Sequence, residues 1–212
     1  MKKLAIIGSG DLGQQIAHHA RVCGRYTPVG FFDDFQAVGA LRHGLPVMGG
    51  IQAVRAVFDR GAFDVLMVGI GYKHLEKRGA VFHQFKGVIP FATIIHPSVQ
   101  LDESCRVGEG VFIFPGCVLD MNVVLNDNVL INAGCVIAHD SEVGENSFFG
   151  PGVRVAGFVK IGSSVNLGIG TVVIDNVTIA SGVRTGGGAV VIDGISEPGL
   201  YVGLPAKYKK EN

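Results

Sequence analysis

From Ile95 onward the apolar positions keep a strict six-residue period. Every sixth residue reads Ile95, Leu101, Val107, Ile113, Leu119, Leu125, Ile131, Ile137, Val143, Phe149, Val155, Ile161, Leu167, Val173, Ile179, Thr185 and Val191, and only Thr185 is not a large apolar residue. The fourth residue after each is mostly small or short-branched, as at Val99, Cys105, Cys117, Cys135, Ser141, Ser147 and Val165. Glycine often follows directly, as at Gly108, Gly144, Gly150, Gly162, Gly168 and Gly186. Neither a plain strand nor a helix keeps one inward residue per six over such a length. A triangular coil does: each hexad is a short strand plus a corner, three hexads close one turn, and residues three hexads apart become vertical neighbours. The pattern predicts a parallel β-helix of hexapeptide repeats with about five coils, on the order of 25 Å long at about 4.8 Å per coil. Each coil leans on its neighbours, and the exposed strand edges at the ends need caps.

The first part of the chain has a different rhythm. Lys3–Ile7 predicts a strand, Gln14–Val22 a helix with Ile16, Ala17 and Ala20 inward, and Pro28–Phe32 a second strand ending in Asp33-Asp34. A short strand at Pro46–Met48 precedes a helix at Ile51–Asp59, and a third long strand at Asp64–Ile70 precedes a helix at Tyr72–Phe85, with Lys73, Lys77 and Arg78 on its polar face. Strands alternating with helices point to a parallel sheet with crossover helices, an α/β Rossmann-like unit. Three segments follow: residues 1–90 as this unit, 91–195 as the β-helix, and 196–212 as a tail.

Composition narrows the classes. The chain has 212 residues, 17% charged, with a formal net charge of zero, so no basic surface for nucleic acid is expected. No apolar run reaches membrane-spanning length and no secretory leader precedes the first strand, so the reading is cytoplasmic. The cysteines Cys23, Cys105, Cys117 and Cys135 show no zinc spacing and no disulfide framework, and no metal site is expected. The last three fall at small inward positions, as buried thiols.

Two constellations carry chemistry. Gly8-Ser9-Gly10-Asp11-Leu12-Gly13 lies between a strand and a helix, and Asp33 follows twenty residues past Gly13. Glycines let backbone N–H groups approach a diphosphate, and an acid can hydrogen-bond a ribose or a base. The plain alternative is that the glycines only permit a tight turn. A nicotinamide site is a further option, but the unit is long enough for one mononucleotide half and not for a full doubly wound sheet. On the rod, His139-Asp140 sits at an outward corner, with Gly157 as its vertical neighbour above and Met121 below. An imidazole suits general-base work near neutral pH, and a position without a side chain beside it leaves room for a ligand. A bland surface histidine is the alternative. His96 reads as structural, and His74 as solvated.

Taken together, these pieces resemble the sugar O-/N-acyltransferases of the sialic-acid O-acetyltransferase type, which include the N-acetyltransferases of UDP-4-amino-sugar and GDP-perosamine synthesis. The resemblance rests on the first Gly-rich loop, Gly30 leading into Phe31-Phe32-Asp33-Asp34, and Ile94-Ile95-His96-Pro97-Ser98. It continues in His139-Asp140 after Cys135–Ala138, Ala156-Gly157, and Val202-Gly203-Leu204-Pro205-Ala206-Lys207, so that it covers the chain end to end. It implies a Rossmann-like domain for a nucleotide sugar, a left-handed β-helix for acetyl-CoA, and a homotrimer with each site between two rods. It implies His139 as general base and Asp140 as the acid that supports it. It places Gly157, Ile169 and Gly187 along the CoA groove, and Gly8, Gly13, Asp33, Asp34 and Gly71 around the sugar nucleotide. Two positions depart from the family: Leu12 stands where a histidine of the first loop is usual, and Phe148 where a second histidine contacts CoA.

The expected activity is acetyl transfer from acetyl-CoA to the amino group of a nucleotide-linked 4-amino-deoxysugar, in surface polysaccharide or glycan biosynthesis. Transfer is direct, since no cysteine is both exposed and paired with a base. The competing readings are O-acetylation of a sialic acid or related sugar, a nicotinamide oxidoreductase using the first loop, and a non-catalytic β-helix binding protein.

Overall fold

The computed structural model describes residues 1–210 and divides into two compact units, the first Met1–Ile94 and the second beginning at Ile95. The last two positions of the expected 196–212 tail lie outside the described residues.

The first unit is built on a sheet of five strands: β1 (Lys2–Ile7), β2 (Tyr26–Phe32), β3 (Leu41–Arg42), β4 (Leu45–Gly49) and β5 (Val65–Val68), in the order β3-β4-β2-β1-β5. All neighbours are parallel except the β3–β4 hairpin. The apolar pattern does not announce that hairpin. Its turn is His43-Gly44, both at positive φ (50° and 78°), a two-residue reversal whose usual signal is Asn or Asp rather than His. Helix α1 (Asp11–Val22) buries Ile16, Ala17 and Ala20 as its spacing predicts. The other two helical stretches each split: 3₁₀ turns at Ile51–Ala53 and Tyr72–His74 precede α2 (Val54–Asp59) and α3 (Leu75–Phe85). The backbone of His74 (φ −132°, ψ 46°) breaks the register between turn and helix. Val54, Val57, Val81, Phe82 and Phe85 pack on Ala5, Ile7, Leu66 and Val68 of the sheet.

Arg78 is a correction. The helical pattern put it on a polar face with Lys73 and Lys77, but it is fully buried on the same side of α3 as Val81, Phe82 and Phe85. Its three guanidinium nitrogens have no hydrogen-bond partner among the described residues, and burial pulls the group down to about 9. A buried cation without a partner contributes little to stability and costs desolvation. The alkyl stem is what packs, so Arg78→Met is expected to leave the melting temperature unchanged or raise it by a few degrees, whereas Arg78→Ala lowers it. Thermal melts of the two variants check this.

The second unit is a left-handed parallel β-helix. Its two-residue strands stack into three sheets. Register confirms the three-hexad coil: Val118 pairs with Val136, Val124 with Glu142, Leu130 with Phe148 and Val136 with Arg154, each eighteen residues on. The sixth-residue series forms the buried stack, from Ile113 and Leu119 up through Val173 and Ile179. Thr185, the one polar member, is buried because its Oγ1 finds the Thr171 hydroxyl at 2.7 Å and accepts the Gly168 N–H at 2.9 Å. Cys117 and Cys135 are buried, donating to the carbonyls of Asn132 (3.0 Å) and Gly150 (3.2 Å), while Cys105 is half-buried. The expected tail is part of this unit. Gly199–Val202 pairs in parallel with Val183–Thr185, and Lys207–Lys210 closes back on it antiparallel, capping that sheet's edge.

Candidate active site

The rod has three corners. His139 lies on the corner that follows the Val136–Ile137 strand. Asp140, next in sequence, adopts a left-handed backbone (φ 57°), which turns its carboxylate back toward the preceding ring. Its Oδ2 is 2.9 Å from His139 Nδ1, and its Oδ1 accepts the Asn122 side-chain amide at 3.0 Å. The His139 hydrogen bond first, then that of Asn122, hold the Asp140 carboxyl below its ordinary range against a lesser opposing effect of desolvation. A carboxylate only accepts, so the shared proton sits on Nδ1. That leaves the Nε2 lone pair of the neutral ring available to take a proton.

Gly157 lies one coil above. A Cβ there would stand 2.8 Å from His139 Cε1 and 2.9 Å from Nε2, so only glycine leaves the ring its place. The Gly157 N–H has no acceptor among the described residues. Phe158 follows, also left-handed (φ 59°), its ring edge-to-face with His139 at 5.1 Å and 88°. A bulky side chain in that conformation costs about 1–2 kcal/mol. Asn122 and Phe158 were not singled out from sequence. The period carried the signal, since Asn122 is one coil below Asp140 and Phe158 adjoins Gly157.

Ile169 and Gly187 do not meet His139. They lie on a different corner, the one that precedes the Val136–Ile137 sheet, among Gly134, Gly150, Gly152, Gly168, Gly170, Gly186 and Gly188. Ile169 is 63% exposed there, and a Cβ on Gly187 would press on its Cγ2 at 3.0 Å. Between the two corners, the outward positions of the six-stranded sheet are Gln100, Val118, Val136, Arg154, Val172 and Val190. Phe148, on another sheet, is buried.

In the first unit the Gly-rich loop is held by the acids. Gly8 has φ 96°, and a Cβ at Gly13 would collide with the Gly8 carbonyl, so both glycines are required by the tight passage from β1 into α1. Asp33 Oδ2 accepts the Ser9 N–H (2.9 Å) and hydroxyl (2.6 Å), and Oδ1 accepts the Phe35 N–H (2.9 Å). Burial works to raise the Asp33 carboxyl, but the Ser9 and Phe35 hydrogen bonds, with the Arg42 charge, bring it below its ordinary value. Asp34 Oδ1 accepts the Ile51 N–H at 2.8 Å. A cavity of about 350 Å³ opens at this edge of the sheet, lined by Gly8, Asp33, Asp34 and the apolar Phe35, Ile51 and Ile70, with His74 and Lys77 from the start of the third helix. Gly13 and Gly71 do not line it. His74 and Lys77 are exposed, as the sequence suggested, yet they face a cavity that only the fold defines.

Asp33→Asn tests this loop. Because the folded-state carboxyl is lowered, its stabilisation is present above the ordinary carboxylate range near pH 4 and is lost as pH falls through the folded value. The variant is expected to melt a few degrees below the parent at pH 7, with the gap closing as the pH drops below about 4. Melting curves across pH read it directly.

No helix among the described residues is long and apolar enough to cross a membrane. The PglD N-terminal domain family matches residues 3–85, and the bacterial transferase hexapeptide (six repeats) family matches residues 122–157. No curated protein matches the chain. PerB from Caulobacter crescentus, solved in complex with CoA and GDP-perosamine, is 31% identical with a TM-score of 0.91, over 99% of this chain and 98% of that one. Variants of the same perosamine N-acetyltransferase with a histidine changed to Asn or Ala, again with CoA and GDP-perosamine, align at 30% identity. The acetyltransferase domain of PglB from Neisseria gonorrhoeae FA1090, in complex with acetyl coenzyme A, is 28% identical with a TM-score of 0.89, over 98% of this chain and 99% of that one. With a relative of this identity aligned along nearly its whole length, the chain belongs to the hexapeptide-repeat sugar acyltransferases of the sialic-acid O-acetyltransferase type.

Proposed function

We propose that the protein is an acetyl-CoA-dependent N-acetyltransferase acting on the amino group of a nucleotide-linked 4-amino-deoxysugar, with His139 as general base and Asp140 as its support. The observation that carries this reading is the His139–Asp140 hydrogen bond at 2.9 Å, which leaves Nε2 as a lone-pair acceptor on an exposed corner beside a glycine. Acetyl-CoA supplies the acyl group as a thioester. The acceptor nitrogen adds to the thioester carbonyl, and its proton passes to His139 Nε2. The C–S bond then breaks, and the departing thiolate takes that proton. The free Gly157 N–H is a donor for the developing oxyanion. Holding both reactants in place supplies much of the acceleration.

Gly157, Ile169 and Gly187 form the acetyl-CoA groove in this reading. The first lies on one corner of a rod and the other two on another, so the groove closes only when a neighbouring rod brings its second corner to the first. A homotrimer does this, since a head-to-tail contact repeated three times closes on itself. Gly8, Gly13, Asp33, Asp34 and Gly71 form the sugar-nucleotide end. The apolar Phe35, Ile51 and Ile70 suit a base, Lys77 and His74 suit phosphate, and the unused lone pairs of Asp33 and Asp34 suit hydroxyl or N–H donors. The GDP-perosamine and acetyl coenzyme A bound by the relatives support both assignments.

The test is a panel of UDP-, GDP- and dTDP-linked 4-amino sugars incubated with acetyl-CoA and read by mass spectrometry. One sugar nucleotide is expected to gain a single acetyl group with stoichiometric release of CoA. If none of the panel is acetylated and a free sialic acid is, the O-acetyltransferase reading takes its place.

A further inference from the structure

The corner that carries His139 holds one residue that its backbone does not suit. Asn122, Asp140, Phe158 and Asn176 occupy the same position on successive coils, all left-handed, with φ of 60°, 57°, 59° and 59°. Asn and Asp tolerate this conformation, and a bulky aromatic does not. On the rod, every other non-glycine residue with positive φ is Asn, Asp or Ser. The backbone bond at that step needs no particular side chain: Asp140, Phe158 and Asn176 each donate their N–H to the carbonyl nineteen positions before, at 2.9, 3.1 and 3.0 Å. Nor does the core need the ring, which is 53% exposed. Strain kept at a half-exposed position, next to a reacting group, points to use rather than packing.

The ring lies edge-to-face with the His139 imidazole, centroids 5.1 Å apart. The Asp140 hydrogen bond fixes Nδ1 but leaves the imidazole free to swing about that bond. Gly157 keeps one flank of the ring clear. We propose that Phe158 is a positioning residue for the transfer: its ring, edge-to-face with the His139 imidazole, limits that swing and holds Nε2 toward the acceptor nitrogen. This rests on the reading of His139 as the base.

The experiment replaces Phe158 with Asn, which its own corner carries one coil above and two coils below, and with the residue that fits the backbone without strain, Gly. Tyr, which keeps the ring, is the rescue. Each is assayed with acetyl-CoA and the amino-sugar nucleotide identified by the panel. Phe158→Asn and Phe158→Gly are expected to lose roughly tenfold in kcat, since a small misplacement of a catalytic group is costly. The KM for acetyl-CoA stays within about twofold, as uniform binding is untouched. Relief of strain offsets the lost ring contact, so Tm stays within about 3 °C of the parent. Phe158→Tyr keeps the parent kcat. Unchanged kcat in the Asn and Gly variants overturns the proposal. So does a loss of Tm beyond that range, or failure to fold, in both of them, because the ring is then packing. His139→Ala separates the two layers. If that variant still turns over, the base assignment fails. If it is inactive while Phe158→Asn is fully active, only the positioning role is removed.

Discussion

His139→Ala is expected to abolish acetyl transfer while acetyl-CoA still binds. The expected loss in kcat is on the order of 10²–10⁴-fold, the range of positioned general-base catalysis. The imidazole is the group with its free nitrogen at the exposed corner, and Asp140 cannot replace it. In the variant it keeps the Asn122 hydrogen bond and loses that of His139, and a solvent-facing carboxylate, with an ordinary value of about 4, is a poor proton acceptor near pH 7. Acetyl-CoA affinity is expected to change by no more than about twofold, because truncating a half-exposed side chain opens space at Gly157 instead of filling it. Folding is untouched for the same reason: the ring is on the outside of the rod, and the inward stack begins again at Ser141 and Val143. Steady-state kinetics with titration calorimetry against CoA separate the two quantities. Substantial residual turnover would remove His139 from the role. His139→Gln, which restores bulk but not a basic nitrogen, is expected to be equally inactive.

The second unit was legible in the sequence because a period of six is a geometric constraint, and one slip anywhere would have broken the stack. The same arithmetic put Gly157 beside His139, and the structure places them in contact distance. The first unit was legible in its strands and first helix, where apolar spacing is unambiguous. It failed where local chemistry was atypical. His43-Gly44 makes a hairpin turn without the residues that announce one, and Arg78 hides in a helix whose charges looked solvated. The cavity residues His74 and Lys77 could not be read, because exposure along a helix does not tell which face meets the loops of other strands. Asp33 and Asp34 were read for ligand chemistry, and their most evident work in the chain is to hold Ser9 and Ile51 in place. Residue type at a motif position therefore pointed to candidate residues, while what each holds in the chain needed distances.

If the protein is the proposed homotrimer, Val136→Asp is expected to convert it to monomers and to remove activity with it. The face between the His139 corner and the Gly-rich corner presents Val118, Val136, Val172 and Val190 at its outward positions, broken by Gln100 and Arg154. The five-stranded sheet presents Arg106, Val124, Glu142, Lys160 and Thr178 at the equivalent positions, a charged face suited to water. A β-branched stripe beside both halves of the proposed groove is where a second rod gains most by packing, since each apolar area removed from water contributes about 25 cal/mol per Å². Val136 is 36% exposed in the single chain and stands three residues before His139, so a carboxylate there meets either its symmetry-related surroundings or the end of the groove. Burying that unpaired charge costs several kcal/mol, enough to reverse a marginal association. The single chain loses nothing, because Ile137, not Val136, fills the stack. Light scattering after size exclusion is expected to give the trimer mass for the parent and the monomer mass for the variant, with an unchanged melting profile of the β-helix extrapolated to low concentration. If the variant stays trimeric and active, the valine face is not the contact, and the groove is completed elsewhere on the rod. If it is monomeric and fully active, one chain carries the whole site.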